Sequence, residues 1–195
     1  AAEVGCTTFL LEKEDHLGGL SVEISKIPDK KRLADFPHYL QVRASKLNNL
    51  FIFKGQEATL PMIKALHPNI IVNANPLLPP IKGLHDHIDK EGSKVASISG
   101  MINHLADYPE DCTGKKVAVI GGGAVGLDVV EYFAPKGAEV SIVEMMPAIG
   151  KDLDPVSKSG VNALMKKYEV NQMPNTALCE VKADSFLVKA DGEEK

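Results

Sequence analysis

Between Lys116 and Leu127 the chain reads Lys-Val-Ala-Val-Ile-Gly-Gly-Gly-Ala-Val-Gly-Leu, and this run constrains the fold more than any other. Val117 to Ile120 is apolar, has strand length and stops abruptly at glycine, which predicts a buried parallel strand followed by a tight turn. Gly121, Gly123 and Gly126 keep the spacing Gly-x-Gly-x-x-Gly, with Ala124 and Val125 before the third glycine. Leu127, Val129, Val130, Phe133 and Ala134 then recur as the inner face of a helix. Val140 to Val143 is a second apolar strand, and it ends on Glu144, about twenty residues beyond the turn. Strand, glycine turn, helix, strand and terminal acid in this register predict a nucleotide-binding unit.

Each residue has its own physical task. Gly121 permits the tight turn, Gly123 lets the backbone approach a pyrophosphate, and Gly126 allows helix and strand to pack closely. The helix N-terminus offers free N–H groups and the positive end of a dipole. Glu144 would accept hydrogen bonds from the adenosine ribose and would repel a 2′-phosphate. Met145, Met146 and Pro147 follow it, and the next base is Lys151, so NAD(H) is expected over NADP(H). Met145 and Met146 fit either an adenine pocket or ordinary core.

Composition narrows the rest. The 195 residues carry a net charge of −4 with lysines scattered among acids, which argues against nucleic acid as a partner. No apolar run approaches the roughly 20 residues needed to span a bilayer, and the N-terminus lacks a secretory pattern, so no membrane association is expected. Cys6, Cys112 and Cys179 lie far apart and form no CxxC motif, as suits a reducing cytoplasm. His85-Asp86-His87 reads better as a solvated turn than as a metal pair, and no metal site is expected. No hydrolytic constellation of Ser, His and Asp or of Cys and His stands out.

Elsewhere the pattern alternates. Residues 1 to 4 read as a helix tail ended by Gly5, and Thr7 to Leu11 as a strand ending on Glu12. Asp29 is a candidate N-cap for a helix carrying Leu33, Phe36, Leu40 and Leu47, with Pro37 kinking or restarting it. Leu50 to Phe53 reads as a strand, Thr59 to Leu66 as a short helix and Asn69 to Val72 as another strand. A proline-rich connector runs from Asn75 to Gly83. Val95 to Leu105 is amphipathic, and Asp154-Pro155 is a cap-and-start pair for a helix to about Tyr168. Strands are expected near Val170, at Ala177 to Val181 and at Phe186 to Lys189. The alternation argues for an α/β fold with parallel sheets. The helix tail, strand and Glu12 mirror the arrangement that ends on Glu144; Glu12 also fits a charged surface loop with Lys13, Glu14 and Asp15.

The segments Leu10 to Leu20 (LLEKEDHLGGL), Pro76 to Gly83 (PLLPPIKG), Gly114 to Pro155 and Asn175 to Val181 (NTALCEV) together resemble a known family. The chain is similar, nearly end to end, to the C-terminal flavin- and pyridine-nucleotide-binding region of the old yellow enzyme-like oxidoreductases. That group includes 2-enoate reductases, bacterial 2,4-dienoyl-CoA reductases and trimethylamine dehydrogenase. The resemblance implies a Rossmann-like NAD-binding domain at residues 109–195, lacking its last strand. It also implies an incomplete, glutathione-reductase-like FAD-binding domain at residues 1–108, lacking its first glycine-rich loop.

In such a protein Glu12 would hold the FAD ribose, Gly18 and Gly19 would lie near the flavin diphosphate, and Gly121, Gly123, Gly126 and Glu144 would hold NAD(H). Lys13 would either meet a phosphate or balance the acids beside it. Asp128 falls where related reductases carry an acid facing the nicotinamide, and it equally fits an acid favoured by the helix dipole. NADH would pass hydride to FAD, and electrons would reach FMN in a TIM-barrel domain through an iron–sulfur cluster. Barrel and cluster would lie upstream of residue 1, so this chain alone is expected to bind NADH, to reduce no enoate and to contain no catalytic acid or base. A homo-oligomer is left open. Two alternatives remain: a trimethylamine dehydrogenase-like region that holds ADP, and a non-catalytic nucleotide-binding module.

Overall fold

Parallel strands need a long crossover between them, and the first half of the chain supplies one. Strand β1 (Thr8–Leu11) is followed by helix α1 (Gly19–Ile24), a 3₁₀ turn at Lys31–Ala34 and helix α2 (Asp35–Ala44). Strand β2 (Leu50–Phe53) then returns beside β1 in parallel, with Thr8 opposite Leu50 and Leu11 opposite Phe53. Helix α3 (Leu60–Ala65) closes this part, its first turn capped by the Thr59 hydroxyl, which accepts from the Met62 N–H. The computed structural model describes residues 1–28, 30–74 and 80–190, and the backbone of 193–194. The expected cap Asp29 and residues 75–79 of the proline-rich connector lie outside the described residues.

Several local expectations meet their physical reasons here. Gly5 ends a 3₁₀ turn at Ala2–Val4 in the left-handed conformation, φ +95°. Pro37 falls in the first turn of α2, where a missing N–H costs nothing, so the helix restarts at Asp35 and does not kink. Asn69 to Val72 is not a strand. Ile70, Ile71 and Val72 are exposed, and this segment pairs with no described strand, so nothing holds it in a ladder. Phe9, Phe51 and Phe53 share one face of the two-stranded sheet and are partly exposed, with the rings of Phe9 and Phe51 stacked 5.2 Å apart.

The chain divides into two compact units, Ala1–Leu78 and Pro79–Lys195. The expected division at 108/109 differs from this, for a packing reason. Helix α4 (Leu84–His87) and helix α5 (Ile98–Asn103) belong with the second unit. Met101 of α5 is buried in the core that contains Val130 and Phe133, and Ile98, Leu105 and Tyr108 pack against that core.

The second unit is built on strand β3 (Lys116–Ile120), helix α6 (Ala124–Phe133), strand β4 (Glu139–Val143), helix α7 (Pro155–Lys167) and strand β5 (Asn171–Met173). The three strands are parallel in the order β3-β4-β5, with β4 central. Right-handed strand–helix–strand units place sequential strands side by side in this way. Val119, Val140 and Ile142 form a core with Leu127 and Val130 of α6 and Val161 and Met165 of α7. β3 was expected to be buried throughout, yet Ile120 is 45% exposed, so that strand buries chiefly one face. Strands β6 (Thr176–Val181), β7 (Phe186–Ala190) and β8 (Glu193–Glu194) form an antiparallel meander. Cys179 is the extra residue of a bulge in β6, since Leu178 faces Val188 while Glu180 faces Leu187. Among the described residues no helix is long and apolar enough to cross a membrane.

Helix α7 shows how sequence sets an element's start. Asp154 accepts the N–H groups of Val156 (2.9 Å) and Ser157 (3.1 Å), and Pro155 takes the first helical position. The Ser157 hydroxyl, then these backbone N–H groups, hold the Asp154 carboxyl below its ordinary value. A depressed pKa means that stabilisation is present above the unfolded-state value and is lost as pH falls through the folded-state value. Asp154→Ala is therefore expected to be less stable than the wild type at pH 7, with the difference vanishing on acidification; urea unfolding followed by circular dichroism across pH checks this. Ile142, with 0% exposure, should be far less tolerant: Ile142→Ala is expected to cost about 2–5 kcal/mol in the same assay.

Candidate dinucleotide site

At the C-terminal end of β3 the backbone turns at Gly121, whose φ of +102° is strained for any residue with a Cβ. The Gly121 N–H donates to the Val143 carbonyl at 2.8 Å, which fastens the turn to the end of β4. The next N–H, from Gly122, donates to Glu144 Oε2 at 2.7 Å, and the Met146 N–H donates to Glu144 Oε1 at 2.7 Å. The Glu144 backbone is fixed as well: its N–H donates to Met173 (2.9 Å) and its carbonyl accepts from Thr176 (2.9 Å). The carboxylate is thus aimed by two backbone donors. A carboxylate offers about four lone-pair positions, so capacity remains for hydroxyl groups of a ligand.

Close packing fixes the helix that follows. A Cβ on Gly126 would lie 1.9 Å from the Gly121 carbonyl oxygen and 3.3 Å from Val119 Cγ1. Gly123 takes the N-cap position of α6 without a side-chain cap, and its carbonyl accepts from the Leu127 N–H at 3.0 Å. The Ala124 N–H points outward and is met by Asp152 Oδ2 at 3.2 Å. The loop after Glu144 is held to the turn by the Gly150 N–H, which donates to the Gly122 carbonyl at 2.7 Å. Between turn and loop lies an open cleft of about 430 Å³, lined by Gly122, Gly123, Glu144, Met146, Lys151 and Asp152, with Ala148 at its side.

The structure brings Gly121, Gly123, Ala124, Val125, Gly126 and Glu144 together around this turn. Asp128 sits one helical turn further on, half-buried, outside the cleft lining. Met145 is 71% exposed and does not line the cleft, whereas Met146 does both tasks, donating to Glu144 and lining the wall. Gly122, Ala148 and Asp152 were not singled out from sequence. The only local signal for the loop is Gly150, whose φ is +65°.

The first unit holds the other expected residues. Glu12 follows β1 and accepts the Glu14 N–H at 2.9 Å; Lys13 beside it is exposed. Gly18 and Gly19 open α1 with φ of +118° and +50°. His16 bridges Asp15 (2.9 Å) and Glu23 (3.1 Å), and the hydrogen bond to Asp15 leads in raising its pKa. A depression of about 450 Å³ lined by Lys30, Arg32, Leu33, Asp35 and Phe36 contains none of these groups and no glycine turn. Among the described residues no cluster of three or more His, Cys, Asp or Glu side chains is placed to hold a metal ion.

Residues 72–195 match the pyridine nucleotide-disulphide oxidoreductase family. The chain belongs to that family. Among its relatives, an NADH oxidase of Thermoanaerobacter brockii is 30% identical over 184 residues, covering 93% of this chain and 27% of the relative. A bilirubin reductase of Mediterraneibacter gnavus is 31% identical over 202 residues, covering all of this chain and 28% of the relative. The chain therefore spans less than a third of the length of these relatives. A 2-naphthoyl-CoA reductase complexed with 2-naphthoyl-CoA superposes with a TM-score of 0.67 at 24% identity, over all of this chain and 28% of that one. Histamine dehydrogenase from Rhizobium sp. 4-9 gives the same TM-score at 16% identity, over all of this chain and 31% of that one. At these identities the likeness is one of fold. The fold is the mixed α/β, Rossmann-like arrangement with parallel sheets.

The contact at Gly126 yields a direct test. Gly126→Ala forces a methyl group against the Gly121 carbonyl, so helix and turn must separate. The variant is expected to lose about 1–3 kcal/mol in urea unfolding, the usual range for overpacking.

Proposed function

We propose that the cleft beside Gly122 and Glu144 binds NAD(H), and that the chain is the nucleotide-handling part of a larger NADH-dependent flavin oxidoreductase resembling the 2-enoate reductases. One observation carries this reading: the strand-end carboxylate is bonded to the second residue of the glycine turn, beside the N-terminus of a ten-residue helix. The donor set suits a dinucleotide. The outward Ala124 N–H and the helix dipole favour pyrophosphate, and the fixed Glu144 carboxylate suits the ribose hydroxyls. Glu144 also disfavours a 2′-phosphate, although Lys151 on the same cleft tempers that. Family membership and the likeness to an NADH oxidase support the same direction.

For FAD the first unit offers less. Glu12 and Lys13 follow β1 and Gly18 and Gly19 open α1, but no second Gly-x-Gly-x-x-Gly run occurs in residues 1–78. We assign to these four residues part of an FAD site completed by other parts of a longer polypeptide. The FMN-bearing barrel and the iron–sulfur cluster belong in the same way outside residues 1–195. When bound, NADH supplies the hydride and FAD accepts it, so this chain's own work is to bind and orient. Asp128 lies one turn along α6 from these N–H groups, and its assignment to the nicotinamide end rests on the family resemblance alone.

Fluorescence titration tests this assignment. The chain is expected to bind NADH more tightly than NADPH. Glu144→Ala should weaken NADH by roughly ten- to a hundredfold, the worth of hydrogen bonds to a charged group, and should narrow the gap to NADPH. Unchanged affinities for both would move the ribose site away from Glu144. Tight ADP that NADH cannot displace would favour the ADP-holding alternative.

A further inference from the structure

We propose that Asp152 is an internal competitor for the cofactor's pyrophosphate, seated on the glycine turn until the dinucleotide displaces it, and that it thereby sets the affinity of the site. The proposal rests on the NAD(H) reading of the cleft and names the residue that tunes it.

Two measurements put the carboxylate where a phosphate would go. Asp152 Oδ2 accepts the outward N–H of Ala124 at 3.2 Å. A Cβ built on Gly123 would lie 3.2 Å from Oδ2 and 3.6 Å from Oδ1 of the same side chain. The carboxylate therefore fills the space left by the missing Gly123 side chain, the space through which a phosphate approaches the backbone. It is an anion held at a helix N-terminus.

The surroundings allow it to leave. Asp152 is exposed, while its backbone is anchored on both sides, by the Gly150 N–H on the Gly122 carbonyl and by Asp154 capping α7. Rotation of one side chain then suffices to vacate the turn, with no movement of the loop. At 3.2 Å the bond to Ala124 is at the long end for N–H···O, so it is readily exchanged. A displaced carboxylate remains beside the bound pyrophosphate and repels it; Lys151 lines the same cleft.

A purely structural role is the rival: Gly123 has no side chain to cap α6, and Asp152 supplies an acceptor instead. The two roles make opposite forecasts for ligands. Asp152→Asn removes the charge and keeps the size, and Asp152→Ala removes both. Both variants and the wild type would be titrated calorimetrically with NADH, ADP and adenosine, with ligand-free melting curves alongside. Both variants are expected to bind NADH and ADP about three- to tenfold more tightly, as removal of a like charge a few ångströms away implies, while adenosine is unaffected. Unchanged or weaker NADH and ADP binding in both variants, with the wild type still binding, would overturn the competitor role alone. Equal tightening of adenosine would overturn it too, because the effect would not act on phosphate. A wild type that binds neither NADH nor ADP would overturn the nucleotide reading itself, and the competitor role with it.

Discussion

Side chain and backbone of Glu144 together join several parts of the second unit. One carboxylate oxygen takes the N–H of Gly122 and so ties the end of β3 to the end of β4, and the other takes the N–H of Met146 and shapes the loop beyond. Its backbone meets β5 through Met173 and the start of the antiparallel meander through Thr176. Four segments of chain thus converge on one residue. A charged acceptor held by backbone donors is stronger than a neutral one, and it costs no side-chain ordering on the donor side. The position of the glycine turn relative to the strand ends, and therefore the shape of the cleft, follows from this junction.

The features that were legible in the sequence are those whose cause is local. Gly121 needs a left-handed turn, and Asp154-Pro155 starts a helix whatever surrounds it. The apolar periods of α6 and α7 follow directly from the faces they bury. Glu144 was legible because its distance from the turn is dictated by one strand–helix–strand unit. The Rossmann-like class followed from these together.

What was not legible depends on distant pairing. Asp152 meets Ala124 across 28 residues, and nothing in its neighbours announces that contact. The direction of β6, β7 and β8 is decided by which edges meet, not by the apolar pattern of each strand. Asn69 to Val72 has strand composition, but a strand exists only through its ladder. Residues 80–108 lack a strong motif, and their allegiance to the second unit rests on Met101 reaching a core formed by later elements. Met145 and Met146 could not be ranked from sequence, since what distinguishes them, the hydrogen bond to Glu144 and a place in the cleft wall, is set by the folded loop.

The two-stranded sheet of the first unit has a consequence for how the chain behaves in solution. Phe9, Phe51 and Phe53 stand together on one face, and Leu10 is exposed on the other. Parallel strands are ordinarily covered on both sides, and a flat apolar face beside open strand edges is adhesive toward its own kind. These rings offer the isolated chain an attractive contact that its net charge of −4 opposes. Concentration and salt both favour its self-association, because screening removes the repulsion and leaves the aromatic attraction intact.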